Sequence, residues 1–216
     1  MRAVLAALCV AAVGAGAAAA AGGEKEQIRF TKADQAAAKR AVALRSDLGS
    51  GAWTGGFTKP DLSAAPTCAN FHPKQSDLVL TGAAETNWQN RGLQIESEAQ
   101  VLKSPAMVLK DWQRTVLAPT AIPCLRSHLV KELGSGVTFV SFRRVLFPPV
   151  ATRVEAFVLL VDVKTPSAKV RVAVEVVLIG RDRTELTLVS TAPNVAQNVV
   201  AQADAQLARA MVSRAR

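Results

Sequence analysis

Cys68 and His72 stand four residues apart in TCANFHP, and Cys124 and His128 repeat the interval in PCLRSHL. These are the two histidines of the chain and, with Cys9, its three cysteines. Four such donors suit a closed tetrahedral zinc site, since thiolate and imidazole are favoured ligands and an i, i+4 pair shares one helix face. No C-x2-C knuckle is present to anchor the ion, and Pro73 restricts the backbone at His72. The competing chemistry is oxidation. Two cysteines in an exported chain suffice for one bridge, and redox compartment favours a Cys68–Cys124 disulfide over metal. Such a bridge closes a loop of about 57 residues and, on the chain-entropy model, stabilises by roughly 4 kcal/mol. The alternative to it is a metal set of Cys68, His72, Cys124 and His128.

Other chemistry is sparse. A serine or cysteine hydrolase needs a base within reach of its nucleophile, and only His72 and His128 offer an imidazole. The chain contains no G-x-S-x-G elbow, phosphate loop or HExxH motif. Glu96, Glu98, Glu155 and Glu175 occupy strand positions facing away from the apolar rows. A carboxylate pair serves glycoside hydrolysis, but acids so placed are expected to face solvent. No catalytic residue is assigned, no cofactor is implied, and a non-enzyme is expected. Of the three tryptophans, Trp53 in the Gly-rich GSGAWTGG and Trp88 are the candidate ligand contacts, while Trp112 reads as core.

The elements that must position these residues begin with an export signal. Residues 1–21 carry Arg2, an uncharged apolar run and an Ala-rich tract, the pattern of a leader cleaved near Ala21. A retained anchor is the alternative, weakened because alanine and glycine insert poorly. The expected organisation is a signal peptide at 1–21, a flexible mature N-terminus at 22–29 and one domain at 30–214. The net charge of +9 is dispersed, with no basic block of the kind that forms a nucleic-acid arm. Outside the cytoplasm that field suits anionic polymers, lipid head groups or acidic partners.

Thr31 and Asp34 have capping-box spacing, and Ala37, Ala41, Leu44 and Leu48 make one helical stripe ending at Gly49. The GSGAWTGG stretch then reads as a loop. A short strand near 77–80 and a longer one near 92–102 follow, the latter alternating with period two. Ser104-Pro105 opens a second helix with Val108, Trp112 and Val116 inward. A further helical piece runs from Cys124 to Leu133. Four β-rich runs with short links predict an antiparallel meander. Asn194 then caps a final helix with Val199, Ala203, Leu207 and Met211 as its stripe. The fold class is α+β: an antiparallel sheet meander with helices packed on it, amphipathic helices standing at both ends.

The exported start, the opening ADQAAAKRAVALRSDLGSGAWTGG, the four-strand run and the closing helix resemble small secreted actinobacterial domains. The likeness extends to the PsbP-like α/β/α sandwich and to extracellular sensor domains of some bacterial kinases, over roughly residues 30–214. It implies an exported binding domain and brings no catalytic residue with it. Neither a kinase nor a membrane segment follows the domain, so a sensor acting in cis is not expected, and the second disulfide of the sensor domains has no counterpart. The function expected is non-catalytic binding of a small apolar ligand or envelope component by a secreted monomer that does not bind nucleic acid. The alternative is a basic structural protein associated with the envelope, touching an anionic polymer or lipid surface.

Overall fold

The structure, a computed structural model, describes residues 24–63 and 65–215. The leader expected at 1–21, with its cleavage site and Cys9, lies outside the described residues. Eight strands form one sheet: β1 (Gln27–Ile28), β2 (Thr54–Thr58), β3 (Val79–Asn90), β4 (Leu93–Leu102), β5 (Val137–Val145), β6 (Arg153–Lys164), β7 (Lys169–Arg181) and β8 (Thr184–Pro193). Four helices pack on it: α1 (Lys32–Ala41), α2 (Pro105–Asp111), α3 (Ala121–Glu132) and α4 (Gln197–Arg214). The spatial order is β1-β3-β4-β8-β7-β6-β5, and β2 also pairs with β3. The meander expected from the short links is there, antiparallel from β5 through β8. Its last strand returns beside β4 and so joins the two halves of the chain.

The segment expected to be a flexible lead-in is tied down instead. Gln27 and Ile28 pair in parallel with Val79 and Leu80, and Glu24 accepts a hydrogen bond from the Ser76 hydroxyl. The loop reading of GSGAWTGG also changes, because Thr54–Thr58 forms an edge strand along β3. β3 itself runs twelve residues, far past the short strand expected. Its TGAAETN centre has glycine, alanines, a glutamate and an asparagine beside its two threonines, residues that are depleted in strands. A two-residue turn at Arg91 and Gly92, both at positive φ, joins it to β4, as tight hairpins of this twist require.

Thr31 caps α1 by accepting from the Asp34 amide at 3.1 Å. The helix stops at Ala41 rather than Gly49, and the chain continues extended before a 3₁₀ turn at Arg45–Leu48. That break is held by buried polar contacts. The Ala43 amide donates to Ser97 Oγ at 2.8 Å, and the Ala43 carbonyl accepts from Thr86 Oγ1 and Trp88 Nε1, each at 3.0 Å. α1 and α4 cover one face of the sheet, over Ala84, Ala99, Val177, Ile179 and Leu188. α2 and α3 cover the other, with Val108 against Leu80 and Leu102, and Leu129 against Val161 and Val174.

α1 reaches the sheet closely only because β3 carries Gly82. A methyl there would stand 2.3 Å from the Asp34 carbonyl oxygen and 2.9 Å from the Gln35 amide nitrogen. Backbone cannot yield as a flexible side chain does, so Gly82→Ala is expected to destabilise by about 1–3 kcal/mol through overpacking. The check is thermal unfolding: a midpoint lowered by several degrees is expected, and an unchanged one contradicts the close approach.

α4 begins after Ala196, two residues beyond the expected Asn194 cap. Its buried stripe is Val200, Asp204, Leu207, Ala208 and Met211, whereas Val199 is 54 % exposed and Ala203 points outward. The true register places an aspartate inside, which disguised it as a polar face.

Candidate functional site

Between the central strands and the α2 layer lies a cavity of about 340 Å³. Register builds its floor. Glu85 of β3 lies opposite Glu98 of β4, which faces Thr187 of β8, which faces Leu178 of β7. One pleat along, Gln100 faces Glu185; one pleat the other way, Glu96 shares the same face. Four carboxylates therefore occupy one patch of sheet, two of them directly opposed, an arrangement that by itself destabilises the pairing.

The roof comes from α2, whose last turn widens into a π-turn at Trp112–Val116 and brings Asp111, Trp112, Thr115 and Val116 over the floor. Such π-turns recur at functional sites. A side wall is formed by Asp61, Ser63, Ala65 and Pro66, with Gln75 behind them and Glu26 arriving from the N-terminal segment. The irregular segment is fastened to α3 by the Cys68–Cys124 disulfide, which spans 56 residues of sequence.

Hydrogen bonds inside the cavity tie both of its amides and the Thr115 hydroxyl to acidic residues. Gln75, only 2 % exposed, gives Nε2 to Asp111 Oδ1 at 2.7 Å, and Gln100 gives Nε2 to Glu98 Oε1 at 2.8 Å. Glu85 accepts from Thr58 Oγ1 at 2.6 Å and from the Asp61 amide at 3.1 Å. Thr115 Oγ1 donates to the Asp111 carbonyl at 2.9 Å. Gln75 Oε1 and Glu185 Oε1 are left buried with no partner, a state that is expensive for an acceptor unless something donates to it.

Desolvation dominates the electrostatics. Burial, reinforced by Glu85 and Glu98, pushes the Glu96 carboxyl up to about 8. Burial likewise raises Glu98 to about 7. Glu185 is raised well above the ordinary carboxylate range by burial and by Asp111, and burial also raises Glu26. Among the described residues no lysine, arginine or histidine lines the cavity. Lys25 and Lys59, both exposed, border an adjoining hollow that shares Asp61 and Ser63 with the cavity.

The residues singled out from sequence fall in several places. Cys68 and Cys124 are bonded to each other. His128 lies beside them, its ligating nitrogen within 4.8 Å of both sulfurs, with Nε2 3.3 Å from the Thr67 carbonyl oxygen. His72 is exposed and outside that group, so the four donors of the alternative metal set do not converge. Trp88 is buried on the α1 face, bonded to Ala43, and neither it nor the half-buried Trp53 lines the cavity. Trp112, expected in the core, is buried and lines it.

Three of the acids expected to face solvent do not: Glu96 and Glu98 line the cavity, and Glu175 is 1 % exposed beneath α4. Glu155 is partly covered and paired with Arg144 at 3.1 Å. The strand alternation was read correctly, but both faces of the sheet are covered. Sequence reasoning missed Glu26, Asp61, Gln75, Glu85, Asp111 and Glu185 altogether. The one available signal was the run Glu96-x-Glu98-x-Gln100, an acceptor-rich strand face.

No family model and no curated protein sequence matches the chain. Among solved structures it is similar to an uncharacterised protein from Mycobacterium smegmatis, at 15 % identity over 83 % of this chain and 98 % of that one, with a TM-score of 0.44. It is also similar to the extracellular domain of PknH from Mycobacterium tuberculosis, at 8 % identity over 83 % and 96 % of the two chains, with a TM-score of 0.46.

Proposed function

We propose that the chain is an extracytoplasmic, non-catalytic ligand-binding domain whose site is the cavity between the central strands and α2. The observation that carries the reading is Gln75: a side chain buried in the cavity wall, holding Asp111 with its amide nitrogen while its oxygen is left without a partner. Leaving such an oxygen desolvated without a donor costs about 1–3 kcal/mol, a cost that a ligand donor in the adjoining cavity would offset. A volume of about 340 Å³ lies within the usual range of small-molecule pockets. The disulfide supports the location outside the cytoplasm, where cysteine pairs persist oxidised.

Carboxylates in a cleft also belong to glycoside hydrolases, which need one acid held protonated beside one held ionised. Here burial raises Glu26, Glu96, Glu98 and Glu185, and among the described residues no cation lines the cavity to hold a partner carboxylate ionised. Neither histidine lines the cavity to supply a base. These two facts favour binding over turnover.

Thr187 sits at the centre of the floor, and Thr187→Phe is expected to fill the cavity while preserving the sheet. Native mass spectrometry of protein from its own host, with backbone NMR titrations against a mixed panel of small molecules, tests the site. A ligand held by the natural chain and lost from Thr187→Phe supports it. A panel that moves no cavity resonance, together with host protein that carries nothing, rejects it.

A further inference from the structure

We infer that the occupant of this cavity is an organic cation with two or more separated N–H donors, an amine or guanidinium on a short hydrocarbon body. This rests on the cavity being the binding site, and four observations choose the class. The wall is dominated by carboxyls on every side and holds no basic side chain among the described residues; each of its two amides gives one N–H to a carboxyl, Asp111 or Glu98. Gln75 Oε1 is a buried acceptor without a partner, and the Glu185 carboxyl lies against that of Asp111. An anion finds no cation on this wall, and a neutral polyol brings no charge to set against its seven carboxyls.

The carboxylates are also spread out. Glu85, Glu96 and Glu98 come from one hairpin, Glu185 from β8, Asp111 from the roof, Asp61 and Glu26 from the side wall. Among the described residues, the group of ligating atoms that meets within 4.8 Å is Cys68, Cys124 and His128, and the cavity acids supply no such group. A bare divalent ion needs six or more oxygens at about 2.0–2.6 Å. A longer cation with donors at both ends matches the dispersed acids. Trp112, Val116 and Leu178 supply the apolar wall its methylenes would cover, and an indole face also attracts a cation.

Proton exchange accompanies binding. Glu96 and Glu98 keep protons near neutrality because burial disfavours their charged forms. The groups facing them are Glu85 from the neighbouring strand, Asp61 and Glu26 from the side wall, and Asp111 with Glu185 beneath the roof, every one a carboxyl. A cation favours the ionised forms and lowers their pKa, so protons leave as it enters. Affinity therefore rises with pH across the range in which these acids titrate, by up to about tenfold per pH unit for each proton released.

Isothermal titration of the mature chain tests this with agmatine and cadaverine, against diacetylcadaverine as the uncharged homologue, glutarate as an anion of similar length, and calcium chloride. Agmatine or cadaverine is expected to bind, more tightly at pH 8 than at pH 6, with the heat depending on buffer ionisation. Glu98→Gln and Glu185→Gln are each expected to weaken binding at least tenfold, the size of a lost charge-assisted hydrogen bond. Asp162→Asn, on β6 away from the cavity, should leave it unchanged. Each variant's unfolding midpoint shows that the fold is kept.

Binding of diacetylcadaverine or glutarate at the cavity without the amines overturns the cation class and leaves the binding site standing. Calcium binding as tight as the amines, or an affinity flat or falling with pH, overturns the inference in the same way. No cavity binding by any of these probes, with none found by the mixed panel above, removes both readings.

Discussion

Replacing Cys68 and Cys124 together by alanine is expected to destabilise the protein by about 4 kcal/mol, the chain-entropy value for a closed loop of this length. For a domain of this size that is an unfolding midpoint lowered by roughly 8–16 °C. The bridge joins the irregular segment to α3, packing Cys124 with Phe71 and Ala121 in a small satellite core. That segment supplies Asp61, Ser63, Ala65 and Pro66 to the cavity wall. The effect should accordingly be twofold: a less stable fold and a wall no longer held against α3. Calorimetry of the double variant and of the reduced natural chain measures the first, and the amine titrations the second. A midpoint within a degree or two of the oxidised protein would mean that the segment is held by other contacts.

The second large effect is at Glu175. Its carboxyl sits on the α4 face of β7, opposite Ser190 of β8, with both oxygens buried and unpaired. Asp204 reaches the same place from α4, is 1 % exposed, and accepts from Ser190 Oγ at 2.6 Å. Burial raises Glu175 to about 7, and burial with the neighbouring Glu175 raises Asp204 to about 7. A carboxyl whose folded pKa lies above its unfolded value binds more protons when folded. Its protonation supports the fold fully below the ordinary carboxylate range, and that support is lost as pH climbs to about 7. Raising an ordinary glutamate to this value weakens the fold by about 3 kcal/mol once the group is forced to ionise.

Glu175→Gln removes that penalty while keeping the shape. It is expected to raise stability by about 2–3 kcal/mol near pH 8 and by little near pH 4.5, since the natural glutamate is already neutral there. Urea unfolding of both chains across that range is the measurement. The same difference at both ends would show that packing, and not ionisation, separates them. The comparison also isolates Glu175 from the cavity acids, which bias stability in the same direction but are common to both proteins.

Much of this architecture was legible in the residues. Period-two alternation and short links dictate an antiparallel meander, because tight turns permit nothing else. The α+β class, the Thr31 cap and the inward set Val108, Trp112 and Val116 follow from local spacing, and all are present. Elements with weak local signals were lost. β2 is rich in glycine, and β3 has small and polar residues at its centre, so neither reads as a strand until its partner is in place.

The disulfide follows from redox logic, not geometry, and the structure brings its two ends together across 56 residues. What the order of residues could not reveal was the meaning of its acids. Alternation says that Glu96, Glu98 and Glu175 leave the apolar rows; it cannot say whether solvent or another layer waits there. The answer depends on groups far apart in the chain. Asp111 of α2 lies over Glu185 of β8, and Asp204 of α4 lies over Glu175 of β7. Desolvation arises only when those layers close, so the tertiary fold alone turned acids that look solvent-facing into buried carboxyls.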